Sequence, residues 1–342
     1  MTSPQYAAAG VDLDAADDAK VRIGALVAGT RTTLSAGAVG AFGGMVRIPA
    51  GMRNPMLVMS TDGVGTKVLV ALQAGRFGSV GEDLVNHSVN DILVHGAQPI
   101  AFMDYVAGHR LGAEMIARVV AGIARGCRAH DMALAGGETA QMPGLYAEGT
   151  FDLAGTIVGV IEERDALHGD AVRAGDVLIA YASSGLHTNG YTLARHVLFD
   201  VLGLTLDAIV PGTGATVGDA LLAVHRSYAA AIRPVIGSIH AMAHITGGGI
   251  PGNLVRGEWP ADCEAVVDAA SWQWPALFQL IADGGKVTRD EMRDVFNLGV
   301  GMIAVVPSDA ADRVHAAARA AAVPTWNCGS VRQGTRGVVF TG

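Results

Sequence analysis

Cysteine is scarce in this chain. Three residues, Cys127, Cys263 and Cys328, occur in 342, none in a C-x-x-C spacing. That excludes a disulfide scaffold and a structural zinc site as organising features, and it fits a reducing compartment. Charge is scarce too: Asp, Glu, Lys and Arg make up 16% of the residues, against roughly 25% in an average soluble domain. The 24 Lys and Arg against 32 Asp and Glu leave a formal charge of −8. No basic cluster offsets it, which argues against a nucleic-acid partner. No uncharged apolar run approaches the ~18 residues of a membrane span. The N-terminal stretch, with Asp12, Asp14, Asp17 and Asp18, lacks the basic start and apolar core of a signal peptide. These absences predict a soluble, cytoplasmic protein with no nucleic-acid or membrane partner.

Several catalytic signatures are missing as well. Gly37-Ala-Val-Gly40-Ala-Phe-Gly43-Gly44 spaces its glycines by three and is no dinucleotide fingerprint. Gly63-Val-Gly65-Thr66-Lys67 is not a Walker A loop, because Thr66 precedes the lysine. There is no Gly-x-Ser-x-Gly elbow, and His240 and His244 have no Glu at position 241 to make a zinc-protease helix.

What is present is hydrophobic and rich in glycine. At 342 residues the chain predicts two domains. Hydrophobic residues reach 50%, so with little charge available some outer surface is expected to be covered by another copy of the chain. Glycine, at 46 residues, is near twice the roughly 7% norm, in clusters that suit tight turns and close ligand approach. Short β-rich runs at 56–60, 100–106, 132–135 and 151–161 predict strands, and 111–128 has helical spacing. The pattern restarts with a strand at 177–182, and an Ala-rich helix is expected around 219–232, a strand at 301–306 and a helix at 309–322. The fold class is α/β in the broad, mixed α+β sense. The boundary falls near 166–172, giving domains 1–168 and 169–342.

The stretch from Asp91 to Pro99 carries the most information. Ser79-x-x-Glu82 upstream reads as a capping box, and Gly96 with Pro99 reads as a C-terminal stop. Leu84, Val85, Val89, Ile92 and Leu93 share one helix face, while Asp83, Asn86, His87 and Asn90 share the other. Asp91 then falls in the last turn, where backbone negative charge accumulates, so it needs a compensating cation or a role. A polar face is one reading; a helix offering oxygen ligands is the one preferred.

Asp62, Asp91 and Glu138 all lie at predicted strand ends or in this helix. If they converge, a divalent cation must offset their repulsion, and an oxygen-only set suits magnesium, usually with a bound polyphosphate. Lys67 is a candidate phosphate contact, as are the backbone donors of Gly43 and Gly44. His187, in the turn Ser183-Ser184-Gly185-Leu186-His187-Thr188-Asn189-Gly190, is placed to steady a phosphoryl oxygen or leaving group.

The Asp91 stretch matches Asp-x-x-x-x-Gly-Ala-x-Pro and resembles the signature of the aminoimidazole ribonucleotide synthetase superfamily of ATP-dependent enzymes. Further segments resemble one branch, the phosphoribosylformylglycinamidine cyclo-ligases. They include residues 9–12, 61–67, the run from Gly136 to Gly144, the His187 turn, Thr246–Gly249, Ser271-Trp272-Gln273-Trp274-Pro275 and residues 296–302. The likeness spans about 6–335 in order. It implies a two-domain protomer and a homodimer whose N-terminal sheets join into one barrel near ATP. It also implies ATP-dependent closure of formylglycinamidine ribonucleotide to aminoimidazole ribonucleotide in de novo purine synthesis, a ligase reaction that phosphorylates the formamide oxygen. In these terms Asp62, Asp91 and Glu138 hold Mg2+, directly or through water. Gly43, Gly44, Asp62, Lys67, Asn86, Asn90 and Asp91 line the nucleotide site, and His187 and Asp91 are catalytic. One departure is Ala7 after Tyr6, where the family has lysine. Among sister enzymes, selenophosphate synthetases want an early reactive Cys, and thiamine-phosphate kinases lack the Ser-Trp-Gln-Trp-Pro segment. A non-catalytic nucleotide-binding subunit is the alternative of another class.

Overall fold

The computed structural model describes residues 13–38 and 40–342; Ala7 and the 9–12 segment lie outside them. The chain divides into two compact units, one of residues 1–92 and 97–163, the other of 93–96 and 164–342. The division falls at Glu163/Arg164, a few residues before the expected 168.

The first unit opens with α1 (Leu13–Ala28) and a small ladder of β1 (Ser35–Ala36) and β2 (Met45–Val46). Its main sheet contains β3 (Pro55–Gly63), β4 (Gln98–Gly108), β5 (Ala133–Gln141) and β6 (Phe151–Glu162), in the order β3-β6-β4-β5. Three helices complete it: α2 (Lys67–Ala74), α3 (Gly78–Leu93) and α4 (Ala113–Ala129). The alternation along each strand decides the two faces. On β6, Leu153, Gly155 and Ile157 are buried, and a Cβ at Gly155 would collide with Phe102 and crowd Leu84 of α3. The helices therefore cover that face. The other face is open and apolar: Leu57 is 50% exposed, Met59 65%, Met103 39% and Tyr105 36%.

Helices α3 and α4 touch backbone to backbone. A Cβ at Gly81 would collide with the Val119 carbonyl, and one at Gly122 with the Gly78 carbonyl, so only glycine permits this approach. The contact helps to bury α3, whose residues 83–90 are all buried, the polar ones included. The expected capping box does not form. Ser79 lies inside the first turn with no hydrogen-bond partner for its hydroxyl, and Glu82 pairs with Arg125 of α4 at 3.2 Å. The expected stop does form: Gly96 has φ +82°, and Ala97 N–H donates to the Ile92 carbonyl.

The second unit has a six-stranded sheet: β7 (Val177–Ala182), β8 (Ala241–His244), β9 (Cys263–Asp268), β10 (Val300–Val306), β11 (Thr325–Gln333) and β12 (Gly337–Thr341). The order is β12-β9-β11-β7-β10-β8, antiparallel except for β12 beside β9. The expected helix over 219–232 is broken into Val217–Leu221 and Ala229–Ile232. Alanine propensity is overridden between them, where Arg226 Nη1 and the Tyr228 hydroxyl both donate to the Ala182 carbonyl. No helix among the described residues is long and apolar enough to cross a membrane.

Candidate active site

Strand β3 and helix α3 bring two of the three predicted acids together. Ser60 and Asp62 face the helix side of β3, and Asp91 sits in the last turn of α3. The Ser60 hydroxyl donates to Asp91 Oδ2 at 3.0 Å. Between the carboxylates stands His87, one turn before Asp91, with Nε2 2.7 Å from Asp62 Oδ2 and 3.4 Å from Asp91 Oδ2. One ligand atom from each of the three lies within 4.8 Å of the others. Asp62 is half exposed, whereas His87 is buried, so the cluster opens to solvent through its first carboxylate.

Burial alone would lower His87, but hydrogen bonds to Asp62 and Asp91 and their charge outweigh it and raise it from 6.5 to about 9. Burial would likewise raise Asp62, but the His87 interaction prevails and holds it below its ordinary value. The compensating cation that Asp91 required is thus an imidazolium. Its signal was present in the sequence as a histidine four residues before the acid. A histidine raised on folding stabilises the native state fully below the unfolded pKa and loses that contribution as pH rises through the folded one. The window is therefore pH 6.5 to about 9, and the contribution is on the order of 3 kcal/mol. In metal-free protein the urea midpoint of the wild type is expected to fall across this window more than that of His87→Gln. Parallel curves for the two proteins would refute the assignment.

The third acid is elsewhere. Glu138 pairs in register with Tyr105, which pairs with Ala154, which pairs with Gly63. It therefore shares the open face, opposite Asp62. Three strand spacings also put it about 14 Å from β3, so one protomer does not bring it to Asp62 and Asp91. Gly44 packs against Ala135 of β5, with no room for a Cβ, so the Gly43–Gly44 segment sits at the β5 edge with Glu138.

Lys67 is not placed as a phosphate contact. Its ammonium is fully buried, 2.8 Å from the fully buried carboxylate of Asp83. Burial lowers its pKa, and Asp83 opposes that shift. Asn86 and Asn90 are also buried, and Asn86 Oδ1 lies 3.3 Å from His130 Nε2. Neither faces open solvent.

In the second unit His187 adopts φ +62° and is 2% exposed. Its Nε2 accepts from the Ser184 N–H at 3.2 Å, and its ring stacks on His225 with centroids 3.9 Å apart. His225 in turn meets His244, Nε2 to Nε2, at 3.1 Å. A Cβ at Gly301 would collide with the Tyr228 hydroxyl and crowd His187, so glycine in β10 makes room for the imidazole. His225, like His87, was missed, because its only sequence signal was a lone histidine in an Ala-rich run.

A hard cation fits the Asp62–Asp91 pair. The donors are carboxylate oxygens and they converge; the His87 imidazolium now holds the position between them, so an ion would bind there with loss of its proton or on the solvent side of Asp62. The comparisons now define the class. Residues 40–161 match the N-terminal domain, and 173–342 the C-terminal domain, of the AIR synthase related proteins. The chain is 46% identical over 333 residues to a phosphoribosylformylglycinamidine cyclo-ligase of Sorangium cellulosum (strain So ce56), covering 96% of this chain and 95% of the relative. The match to that of Myxococcus xanthus (strain DK1622) is 46% over 332 residues, covering 96% of each. The chain belongs to the phosphoribosylformylglycinamidine cyclo-ligase family. Its fold is also that of a thiamine-monophosphate kinase from Stenotrophomonas maltophilia K279a, with a TM-score of 0.71 at 20% identity over 95% of this chain and 96% of that one. Hydrogenase maturation protein HypE in complex with ATP has the same fold, with a TM-score of 0.64 at 20% identity over 92% of this chain and 88% of that one.

Proposed function

We propose that the chain is a cytoplasmic enzyme closing the imidazole ring of aminoimidazole ribonucleotide from formylglycinamidine ribonucleotide, with ATP converted to ADP and phosphate. The observation that carries this reading is the identity of 46% over nearly the whole chain to cyclo-ligases. The chemistry explains the need for ATP. Ring closure must expel a formamide oxygen, and oxide does not leave, whereas phosphate does. Phosphorylation of that oxygen is largely a matter of positioning and of stabilising phosphoryl charge. The closure itself is intramolecular and gains from a held near-attack geometry.

Asp62 and Asp91 are the residues that would hold Mg2+ against the nucleotide phosphates. When bound, the ion neutralises charge on the transferring phosphoryl group. His87 fixes both carboxylates, and the hydrogen bond from Ser60 aims Asp91. His187 would steady a phosphoryl oxygen or leaving group, its ring held by the hydrogen bond that Nε2 accepts from the Ser184 N–H. The homodimer belongs to this reading. A barrel made from two N-terminal sheets would cover Leu57, Met59, Met103 and Tyr105 and close the free edges at β3 and β5. Glu138, Gly43 and Gly44 would then serve the nucleotide from the β5 edge, beside the other protomer. The purified chain, given formylglycinamidine ribonucleotide and ATP, should form aminoimidazole ribonucleotide only when magnesium is present. No product, with ATP hydrolysed or untouched, would overturn the reading.

A further inference from the structure

Two turns meet at one end of the second unit's sheet, and only the one that carries His187 has a role so far. The His187 turn leaves β7 after Ala182, and the turn Asn297-Leu298-Gly299 leads into β10 at Val300, which pairs with Ala182. Both turns are conformationally costly. His187 has φ +62° and Leu298 φ +52°, in the left-handed region that a Cβ disfavours. Asn297, 4% exposed, ties one turn to the other. Its Oδ1 accepts from the Gly299 N–H at 2.9 Å, and its Nδ2 donates to the Gly185 carbonyl at 2.9 Å. One partner can only donate and the other can only accept, so a side-chain amide is required and a carboxylate does not serve. The Ser183 hydroxyl sits beside them, 2.9 Å from the Gly185 carbonyl and 3.1 Å from Asn297 Oδ1. The Ser183 N–H donates to the Gly299 carbonyl at 2.9 Å. The clamp is anchored from behind. Trp272 Nε1 donates to the Leu298 carbonyl at 2.9 Å. A Cβ at Gly299 would collide with Pro275, and one at Gly190 with the Phe296 ring.

What the clamp fixes is the backbone that aims at His187. The Ser184 N–H, carried between Ser183 and Gly185, donates to His187 Nε2 at 3.2 Å. The stack on His225 sets the plane of the ring, but a stack does not distinguish its two nitrogens; the Ser184 N–H does. With Nε2 committed as an acceptor, the proton of the neutral imidazole resides on Nδ1. We propose that Asn297 is a positioning residue for the reaction that acts through His187. It holds the Ser183–Gly185 backbone so that the ring presents Nδ1–H, a hydrogen-bond donor suited to a phosphoryl oxygen or to departing phosphate. The inference rests on the role of His187 in the cyclisation reading above. A donor set in place before charge develops acts by preorganisation. A ring free to exchange tautomers would spend part of its time with a lone pair facing that charge. Asn297 itself touches neither substrate nor nucleotide in this role.

The test is kcat and KM for wild type, Asn297→Ala and Asn297→Asp, with urea midpoints and the 15N signals of the His187 ring alongside. In the wild type those signals should place the proton on Nδ1. Asn297→Ala should lower kcat of the folded protein by about 100-fold, the scale of a small misplacement in a catalytic site, with KM for ATP little changed. Its His187 signals should move toward the tautomer mixture of a free imidazole. Asn297→Asp keeps the volume and the bond from the Gly299 N–H but turns an oxygen toward the Gly185 carbonyl, and it should fall in the same way. A merely structural asparagine predicts a lower midpoint with kcat of the folded protein and the ring signals unchanged, and that result would overturn the proposal. If Asn297→Ala does not fold, Asn297→Asp decides by the same readouts. Wild-type signals with the proton on Nε2 sink the proposal without any variant. The ring signals need no turnover, so they separate this inference from the cyclisation reading. A wild type that makes no aminoimidazole ribonucleotide defeats that reading, whereas product formation with kcat and signals untouched by Asn297→Ala defeats the inference alone.

Discussion

Replacing Asp91 by Asn is expected to lower aminoimidazole ribonucleotide formation by at least about 100-fold, the scale set by removing one preorganised electrostatic group from a site of developing charge. The geometry says why the loss should be catalytic rather than structural. Asn keeps the volume, and its carbonyl oxygen can still accept from the Ser60 hydroxyl, which now lies 3.0 Å from Asp91 Oδ2. His87 keeps its shorter contact, 2.7 Å to Asp62. What disappears is one negative charge of the two that face the cation position. The ion should bind more weakly, so the residual activity should need more magnesium than the wild type does. The urea midpoint should fall only by the part of the His87 contribution that Asp91 supplies, since Asp62 still holds the imidazolium, and far-UV circular dichroism should be unchanged. An Asp91→Asn protein of wild-type activity and unaltered magnesium dependence would remove Asp91 from the mechanism.

The sequence made the helix that carries Asp91 legible because two independent signals agree there: the apolar period and the Gly96–Pro99 stop. The pairing of Asp62 with Asp91 was legible for the same reason, as both acids sit where an element ends. Three things were hidden. The burial of Asp83, Asn86 and Asn90 cannot be read from an α3 that looks amphipathic, because its polar face is buried by contacts distant in sequence. The separation of Glu138 from Asp62 follows from strand order. A chain in which β6 inserts between β3 and β4 leaves β3 and β5 at opposite edges, and no local pattern announces that. The break in the expected 219–232 helix has the same origin. Arg226 and Tyr228 are drawn to the Ala182 carbonyl, a partner some forty residues upstream, against a strong local propensity.

Lys67 sets the second large effect, and it separates two roles that the loop Gly63–Lys67 allows. A phosphate-binding lysine must reach solvent. Here the ammonium is fully buried on an equally buried Asp83, 2.8 Å away. Removing one partner of such a pair leaves an uncompensated charge in a low-dielectric interior and costs about 3–5 kcal/mol. Lys67→Met should therefore lower the urea midpoint sharply, and the damage should reach the active site only through loss of folded protein. Since α2 begins at Lys67, directly after the β3 end that carries Asp62, and Asp83 lies on α3 one turn before His87, the pair ties together both elements that bear the acids. The double variant Lys67→Met with Asp83→Leu removes both charges and fills the space with apolar volume, so much of the lost stability should return. Stability of Lys67→Met equal to wild type, with a raised KM for ATP, would instead make Lys67 a phosphate ligand and the buried pair an incidental contact.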